Sequence, residues 1–150
     1  MLARLWQSLN RPAERRRHRS RIPAELAAKL QGALPAICLS GGVALPTAYA
    51  NDVDGEYTAS QTLYCLGRPG DIFIAISTSG NAKNLLHAAA LAKCLGIRTV
   101  AMTGESGGKL APMCDMALKV PACETYRVQE YHLPVYHHIC AAIEAAMFEK

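Results

Sequence analysis

The hydrophobic and polar positions of the chain group into short apolar runs and longer stretches with helical spacing. The clearest apolar run covers residues 72–76 and is followed directly by hydroxyl-bearing residues and glycine. A continuous run of this kind is typical of a strand that is covered on both faces of a sheet. Apolar positions spaced three and four apart come next, and they predict a helix that begins near Ala82. This stripe consists of Leu85, Leu86, Ala89, Ala92 and Leu95.

The same alternation of strand and helix patterns extends along the rest of the chain. Further strands are predicted at residues 36–40, 97–102 and 116–120, and further helices at residues 24–30, 45–50, 57–66 and 107–114. A long helix ends the chain, and its predicted start is near Leu133, because Pro134 lacks an N–H group and suits a first turn. The alternation predicts an α/β fold: a doubly wound, mostly parallel sheet with helices on both faces.

The composition fits one ordinary domain that does not cross a membrane. The chain has 150 residues, enough for one domain with its own core, and no apolar run reaches the ~18 residues of a membrane span. Arginines occupy the N-terminal stretch where the apolar region of a signal peptide would lie. The six cysteines are scattered without a C-x-x-C pair, so we expect buried free thiols in a cytoplasmic protein.

The positive charge of the chain is concentrated at its N-terminus. The formal net charge is +4, yet residues 1–21 alone contain seven arginines and one glutamate, so the remainder is mildly acidic. We predict a basic, disordered arm over residues 1–22 and a folded domain over residues 23–150. Contact of the arm with nucleic acid is the weaker alternative, because the arm has one aromatic residue, Trp6, and no nucleic-acid-binding module.

A candidate anion site follows the apolar run at Ser77, Thr78, Ser79, Gly80 and Asn81. Open α/β sheets bind ligands at the carboxyl ends of their strands, and the N–H groups at a helix start attract anions. Such a loop also occurs as a plain helix cap without a ligand. Three consecutive hydroxyl groups exceed what a cap needs, which favours a ligand, and phosphate is the anion that we expect.

A second group of reactive side chains lies around the start of the predicted last helix. Gln129 and Glu130 precede that start, and His137 and His138 follow it. The two histidines point about 100° apart on a helix, so one is expected to face inward and the other solvent. A histidine near Gln or Glu can bind zinc or transfer a proton, whereas an inward histidine is also common in an ordinary core. The spacing leaves these alternatives open, because the chain has no H-x-x-x-H or C-x-x-C pattern.

Several motifs of the chain occur in a characteristic order. The sequences GRPGD at residues 67–71 and ISTSGN at residues 76–81 resemble the sugar isomerase (SIS) domain. Residues 50–52, 103–104, 107–111 and 128–132, together with His137, resemble the phosphoheptose isomerase branch of that family. The resemblance covers roughly residues 33–150.

The resemblance implies a phosphosugar-binding sheet in a homo-oligomer, a tetramer or a dimer, with its sites at subunit interfaces. Enzymes of this branch interconvert sedoheptulose 7-phosphate and an aldoheptose 7-phosphate through an enediol. The residues that match phosphosugar-binding positions are Ser77, Thr78, Ser79, Asn51, Asp52 and Gln129. His137 matches the proton-transferring histidine, and Gln129 and His137 match zinc-binding positions of the metal-containing members. The resemblance implies no nucleotide cofactor.

The chain departs from the family pattern at positions that bear on activity. Ala82 stands where the family has a further serine. The family's first strand, its Gly-Asn-Gly-Gly-Ser loop and the following Gln-His-x-x-x-Glu helix have no counterpart, and Glu25 is the remnant that we assign to that helix's catalytic glutamate. We therefore expect an N-terminally truncated or altered member. The alternative function is a catalytically inactive domain that binds phosphosugars or a protein partner in a regulatory role.

Overall fold

A parallel sheet with helices packed against it forms the structure, a computed structural model that describes residues 22–30 and 34–148. The helices are α1 (Ala24–Ala27), α2 (Ala44–Tyr49), α3 (Thr58–Leu66), α4 (Lys83–Cys94) and α5 (Thr125–Phe148), and the strands are β1 (Ile72–Ser77), β2 (Arg98–Thr103) and β3 (Met116–Lys119). A π-helical turn (Ala50–Asp54) and a 3-10 turn (Gly55–Tyr57) join α2 to α3. The predicted basic arm, apart from its last residue, lies outside the described residues.

The three strands are parallel and follow the order β1-β2-β3 across the sheet. Their carboxyl ends coincide at one edge, since Ser77 pairs with Thr103 and Thr103 pairs with Lys119. Helix α4 connects β1 to β2, as the crossover between parallel strands requires. This arrangement confirms the predicted α/β fold and the three strands predicted after residue 70.

One face of the sheet packs against α3 and α4 and forms the main core. Ala88, Ala89 and Ala92 of α4 are fully buried, and their small side chains allow the helix to lie close to the sheet. The core cluster consists of Leu63, Phe73, Ala75, Ala88, Ala89, Ala92, Ile97, Ala101 and Leu110. The leucines of the predicted stripe pack against it half-buried, so the predicted inner face of α4 is confirmed.

The opposite face of β1 is open, which corrects the expectation that this strand is covered on both sides. Ile74 is 45% and Ile76 is 51% exposed, whereas their neighbour Ala75 is completely buried. Successive side chains of a strand point to opposite faces, and α3 and α4 lie on only one of them. An apolar run therefore indicated the strand but not the number of covered faces.

The strand predicted at residues 36–40 is absent, and this segment is irregular. The backbone N–H of Gly41 donates to the carbonyl of Cys38 at 3.2 Å, so the chain turns almost as soon as the apolar run has begun. Leu39 packs against the core, while Ile37 is 60% exposed. As a result, β1 forms an edge of the described sheet, with its backbone groups on one side unpaired.

Two helix predictions also change in extent. The helix predicted at residues 107–114 is reduced to a 3-10 turn at Ala111–Met113, because Gly107 and Gly108 have φ values of +73° and +51°, outside the right-handed helical region. The last helix begins at Thr125 and not near Leu133, and it contains Pro134 in its interior.

The early start of α5 places Gln129 and Glu130 within the helix and not before it. The N–H of Val128 donates to the carbonyl of Glu124 at 2.9 Å and closes the first turn, and Val128 itself is fully buried. Burial at the first turn stabilises the helix ahead of Pro134, whose missing N–H removes one later hydrogen bond. None of the helices in the described part of the chain combines the length and hydropathy that a membrane crossing requires.

All six cysteines are free thiols, but their predicted burial is wrong. Cys114 is half-buried and the other five are exposed. Cys65 and Cys94, for example, lie near the ends of α3 and α4, close in sequence to the core residues Leu63 and Ala92 but on exposed positions. The apolar neighbours of a cysteine in sequence therefore did not determine the face on which its sulfur lies.

Asp115 joins the entrance of β3 to β2 through reciprocal hydrogen bonds with Thr99. Its carboxylate accepts from the Thr99 backbone N–H at 2.7 Å and from the Thr99 hydroxyl at 2.9 Å, and the Thr99 hydroxyl accepts from the Asp115 N–H at 3.0 Å. The backbone hydrogen bond, and then that of the hydroxyl, lowers the pKa of Asp115. The charged carboxylate therefore stabilises this end of the sheet.

We expect Asp115→Asn to lower the Tm by several degrees at pH 7. Because the folded-state pKa of Asp115 is lowered, its contribution is complete above the unfolded-state value, about pH 4, and is lost as the pH falls through the folded-state pKa. The difference in Tm between the two proteins should therefore shrink on acidification below about pH 4, as followed by circular dichroism. Glu144→Gln, which removes an exposed carboxylate of α5, is the control. A difference in Tm that is independent of pH would contradict this account.

Candidate phosphate-binding site

The loop between β1 and α4 lies at the carboxyl edge of the sheet and touches a second loop backbone to backbone. Gly80 has a φ of +67°, and a Cβ there would overlap the carbonyl of Gly107 and lie 2.9 Å from the N of Gly108. Conversely, a Cβ on Gly108 would lie 2.5 Å from the carbonyl oxygen of Ser79. Glycines at positions 80 and 108 are thus required for the two loops to approach each other.

The hydroxyl groups of the loop have different surroundings. Ser77 is buried, and its Oγ accepts a hydrogen bond from the N–H of Gly80 at 3.1 Å. The Oγ of exposed Ser79 accepts from the N–H of Asn81 at 3.2 Å, and Thr78 is half-buried. Because both serine oxygens accept hydrogen bonds within the loop, their O–H groups keep the capacity to donate. All three residues therefore stay candidate phosphate ligands, with Ser77 the buried one and Thr78 and Ser79 the more accessible ones.

Asn81 connects the two loops through its side-chain amide. Its Nδ2 donates to the carbonyl of Ser79 at 3.0 Å, and its Oδ1 accepts from the N–H of Lys109 at 3.1 Å. The N–H of Leu110 donates to the carbonyl of Gly80 at 2.9 Å and adds a third connection. The loop that follows β1 is thus held in one conformation before any ligand arrives.

The hydroxyl groups do not cap α4, although the sequence left that alternative open. The N-cap residue is Ala82, which makes no side-chain capping hydrogen bond. In the first turn, the N–H of Leu85 donates to Oδ1 of Asn84 at 3.0 Å, and no hydroxyl of the loop accepts from this turn within the described residues. The N–H groups of Lys83 and Asn84 and the positive end of the helix dipole favour an anion at this position. The geometry therefore supports an anion site more strongly than a structural cap.

The cation at the start of α4 is already neutralised by a neighbouring turn. The ammonium of Lys83 lies 2.9 Å from a carboxylate oxygen of Glu56, and this hydrogen bond raises the pKa of Lys83. The other carboxylate oxygen lies 3.8 Å from Nε2 of His87. The ring of Tyr57 stacks on His87 with centroids 4.3 Å apart, so the 3-10 turn before α3 is fixed against α4.

Asn51 and Asp52 lie in the π-helical turn just before this attachment. The Nδ2 of Asn51 donates to Oδ1 of Asp52 at 2.9 Å, and both residues are exposed. Within the described structure, neither makes a hydrogen bond or ion pair with Ser77, Thr78 or Ser79. The next turn of the chain, the 3-10 turn that contains Glu56 and Tyr57, contacts α4. Asn51 and Asp52 are therefore attached, through this neighbouring turn, to the helix that follows the β1–α4 loop.

The candidate acid–base and metal residues of α5 are exposed and separate from the loop. Gln129 and His137 are eight positions apart, about 12 Å along the helix axis. The ring of His137 makes an edge contact with Tyr136, with centroids 4.9 Å apart. His138 is exposed as well, so the prediction that one of this pair faces inward is wrong. The inward histidine of α5 is His132, which is only 3% exposed.

The structure does not bring Glu25 together with His137. Glu25 lies in the short helix α1, is exposed, and makes no hydrogen bond or ion pair within the described residues. The same part of the chain holds no group of three His, Cys, Asp or Glu side chains that could bind a metal. Enzyme zinc sites commonly have three protein ligands, and Gln129 and His137 of one chain would supply two of them.

Sequence reasoning missed the part that His132, Thr103 and Gly104 play behind the loop. His132 lies four residues after Val128 and therefore on the same face of α5. Its Nε2 is 3.3 Å from the carbonyl oxygen of Thr103. The four-residue spacing of Val128 and His132 is visible in the sequence. It indicates one buried helix face only if the helix begins at Thr125, and the predicted start near Leu133 excluded both residues from the helix.

Comparison with known proteins places the chain in a family. Residues 26–147 match the family model described as the SIS domain, and the chain therefore belongs to the SIS domain family. It is 44% identical over 115 residues to the phosphoheptose isomerase of Aneurinibacillus thermoaerophilus, covering 77% of this chain and 58% of that protein. It is 42% identical over 130 residues to the phosphoheptose isomerase of Sulfurimonas denitrificans, covering 85% and 67% respectively.

Solved structures of similar proteins have the same fold. The phosphoheptose isomerase of Neisseria gonorrhoeae superposes with a TM-score of 0.71 at 36% identity, covering 73% of this chain and 61% of that one. The enzyme of Francisella tularensis also gives a TM-score of 0.71 at 36% identity, covering 74% and 60%. The chain thus spans about three fifths of the length of these solved relatives.

We expect Asn81→Leu to weaken the binding of inorganic phosphate by roughly ten-fold, because it removes two hydrogen bonds of about 0.5–1.5 kcal/mol each that hold the loop in place. Isothermal titration calorimetry measures the affinity. Gln61→Leu, which removes an amide from α3 outside the site, is the matched control and should bind phosphate normally. An Asn81→Leu protein that is folded and binds phosphate with unchanged affinity would show that this loop is not the phosphate site.

Proposed function

We propose that this chain is a phosphosugar isomerase of the phosphoheptose isomerase type. It interconverts sedoheptulose 7-phosphate and an aldoheptose 7-phosphate. The observation that carries the proposal is the loop of Thr78 and Ser79, held by hydrogen bonds to a second loop, at the start of α4, where the N-cap residue Ala82 makes no side-chain capping hydrogen bond. The proteins that this chain resembles, which are named phosphoheptose isomerase, support the choice of substrate.

The loop binds the phosphate group of the sugar. The hydroxyls of Thr78 and Ser79 and the first N–H groups of α4 donate hydrogen bonds to its oxygens. Since Gly80 and Asn81 hold the loop in advance, little conformational entropy is lost on binding. The bound phosphate fixes one end of the substrate, and the carbonyl end extends from it toward the acid–base group.

The reaction moves a proton between neighbouring carbons of the sugar. A base removes the proton from the hydroxyl-bearing carbon next to the carbonyl, the electron pair forms a C=C bond, and the carbonyl oxygen takes a proton, which gives the enediol. A proton then returns to the former carbonyl carbon, while the hydroxyl proton of the first carbon is lost and its carbonyl forms. His137 is the group proposed to carry the carbon-bound proton, and Asn51, Asp52 and Gln129 hold the sugar hydroxyls.

Two copies of the chain are proposed to build the complete site. His137 and Gln129 are exposed on the face of a helix that protrudes from the described sheet, and they do not contact the phosphate loop of their own chain. Apolar side chains remain exposed around them on α5, including Leu133 at 48% and Tyr131 at 47%. A homo-oligomer, a tetramer or a dimer, buries these side chains and brings α5 to the loop of a partner. Six free thiols are consistent with a cytoplasmic location.

A catalytically inactive, phosphosugar-sensing domain is the second candidate. The observation that favours it is the isolated position of Glu25, which is exposed and makes no hydrogen bond with any described residue. An acid–base pair is needed for efficient proton transfer. Since Glu25 does not meet His137, His137 has no acid–base partner within one chain. The two candidates differ in turnover but share the phosphate site.

Proton NMR in D2O distinguishes the two candidates. With sedoheptulose 7-phosphate and added zinc, we expect deuterium to appear at the carbon next to the carbonyl. We expect His137→Ala to slow this exchange by at least about 100-fold. His138→Ala, which removes a neighbouring exposed imidazole from the same helix, is the control and should exchange at the normal rate.

Two results would contradict the isomerase proposal. Broadening of the sugar resonances without exchange would show a binding domain that has no turnover. Exchange that is unchanged in His137→Ala would show that another group carries the proton.

A further inference from the structure

We propose that His132 is a positioning residue that fixes the orientation of α5 against the end of β2. The hydrogen bond between its ring and Thr103 determines the direction in which α5 carries His137. The catalytic consequence rests on the proposed function, whereas the hydrogen bond and the helix orientation do not.

Helix α5 is attached to the rest of the chain by a small buried surface. Of its 24 residues, Val128 and His132 are the buried ones. They are four positions apart and therefore share one face of the helix. Val128 forms a small cluster with Val120 and Ala122, separate from the main core. The orientation of the long helix thus depends on contacts within about one turn.

Both buried residues meet the carboxyl end of β2. The Nε2 of His132 lies 3.3 Å from the carbonyl oxygen of Thr103. A carbonyl oxygen accepts hydrogen bonds and cannot donate them, so Nε2 carries the proton and donates. Next to it, a methyl carbon of Val128 lies 3.0 Å from the position that a Cβ on Gly104 would take. Only glycine at this position allows α5 to approach so closely.

The end of β2 also contacts the phosphate loop. The N–H of Gly104 donates to the carbonyl of Thr78 at 3.0 Å, and a Cβ on Gly104 would lie 2.9 Å from that oxygen. One short backbone segment therefore joins the residue that contacts phosphate to the histidine that orients α5. A rotation of α5 about this segment moves His137, which lies five residues beyond His132.

Packing alone does not account for a histidine at this position. The Nδ1 of His132 is buried and has no hydrogen-bond partner among the described residues. A leucine would fill similar space without burying an unpaired nitrogen, whose desolvation is unfavourable. The contact of Val128 resists separation of helix and sheet but has no directional component. The hydrogen bond of Nε2 supplies the direction that the apolar contact lacks.

The test compares His132→Leu with His132→Gln in the full chain. Glutamine can place its amide N–H near the position of Nε2, whereas leucine retains the apolar volume without a donor. His138→Leu removes an exposed histidine of the same helix as the control. Residual dipolar couplings of backbone amides report the angle between α5 and the strands, and steady-state kinetics with sedoheptulose 7-phosphate report kcat and KM separately.

We expect His132→Leu to change the orientation of α5 and to lower kcat between about ten-fold and a hundred-fold, with KM changed by less than about two-fold because the phosphate loop is intact. His132→Gln should restore the orientation and most of kcat. Equal loss in both variants, in proportion to lost folded protein, would overturn the proposal and leave a purely structural role. Normal orientation in His132→Leu would overturn it as well.

A second measurement needs neither a variant nor turnover. Long-range nitrogen–proton NMR spectra of the wild-type ring should show a protonated Nε2 and an unprotonated Nδ1 for His132. The opposite tautomer would overturn the proposal. If the wild-type chain has no isomerase activity, the proposed function fails, while the ring spectrum and the helix orientation still decide the role of His132.

Discussion

The contact between two glycine-containing loops at the carboxyl edge of the sheet is the constraint on which the candidate site depends. Gly80 meets Gly107 and Gly108 at distances that leave no room for a Cβ. This contact holds the loop that follows β1, and the loop places Thr78 and Ser79 near the start of α4. The helix start that follows this loop, whose N-cap residue Ala82 makes no side-chain capping hydrogen bond, is then a candidate anion site.

The two halves of the site have very different packing. The proposed phosphate half lies on a sheet whose inner face is packed by the alanines of α4, and its loops are joined by hydrogen bonds within one chain. The half that carries Gln129 and His137 lies on a helix whose buried surface is limited to Val128 and His132. This division is the reason for proposing a site that is completed between subunits, in which one chain binds the phosphate and a neighbouring helix provides the acid–base group.

The sequence predicted the packed half well and the exposed half poorly. The apolar run of β1 and the helical stripe of α4 are local patterns, and both are confirmed. The start of α5 was misplaced because Pro134 was given its usual first-turn position, whereas burial of Val128 overrides that preference. The strand predicted around Cys38 failed because an apolar run does not reveal whether a ladder partner exists. Burial of cysteines and histidines failed for a related reason: it depends on which helix face meets the sheet.

The most direct test of the phosphate site is a titration of the nitrogen-15-labelled chain with sedoheptulose 7-phosphate, followed through backbone amide shifts. We expect the largest shifts at residues 78–84, extending through Gly104 and Lys109, which the structure joins to the loop by hydrogen bonds. Shifts confined to the arginine-rich residues 1–21, or spread along α5 without change in the loop, would contradict a phosphate site at this loop.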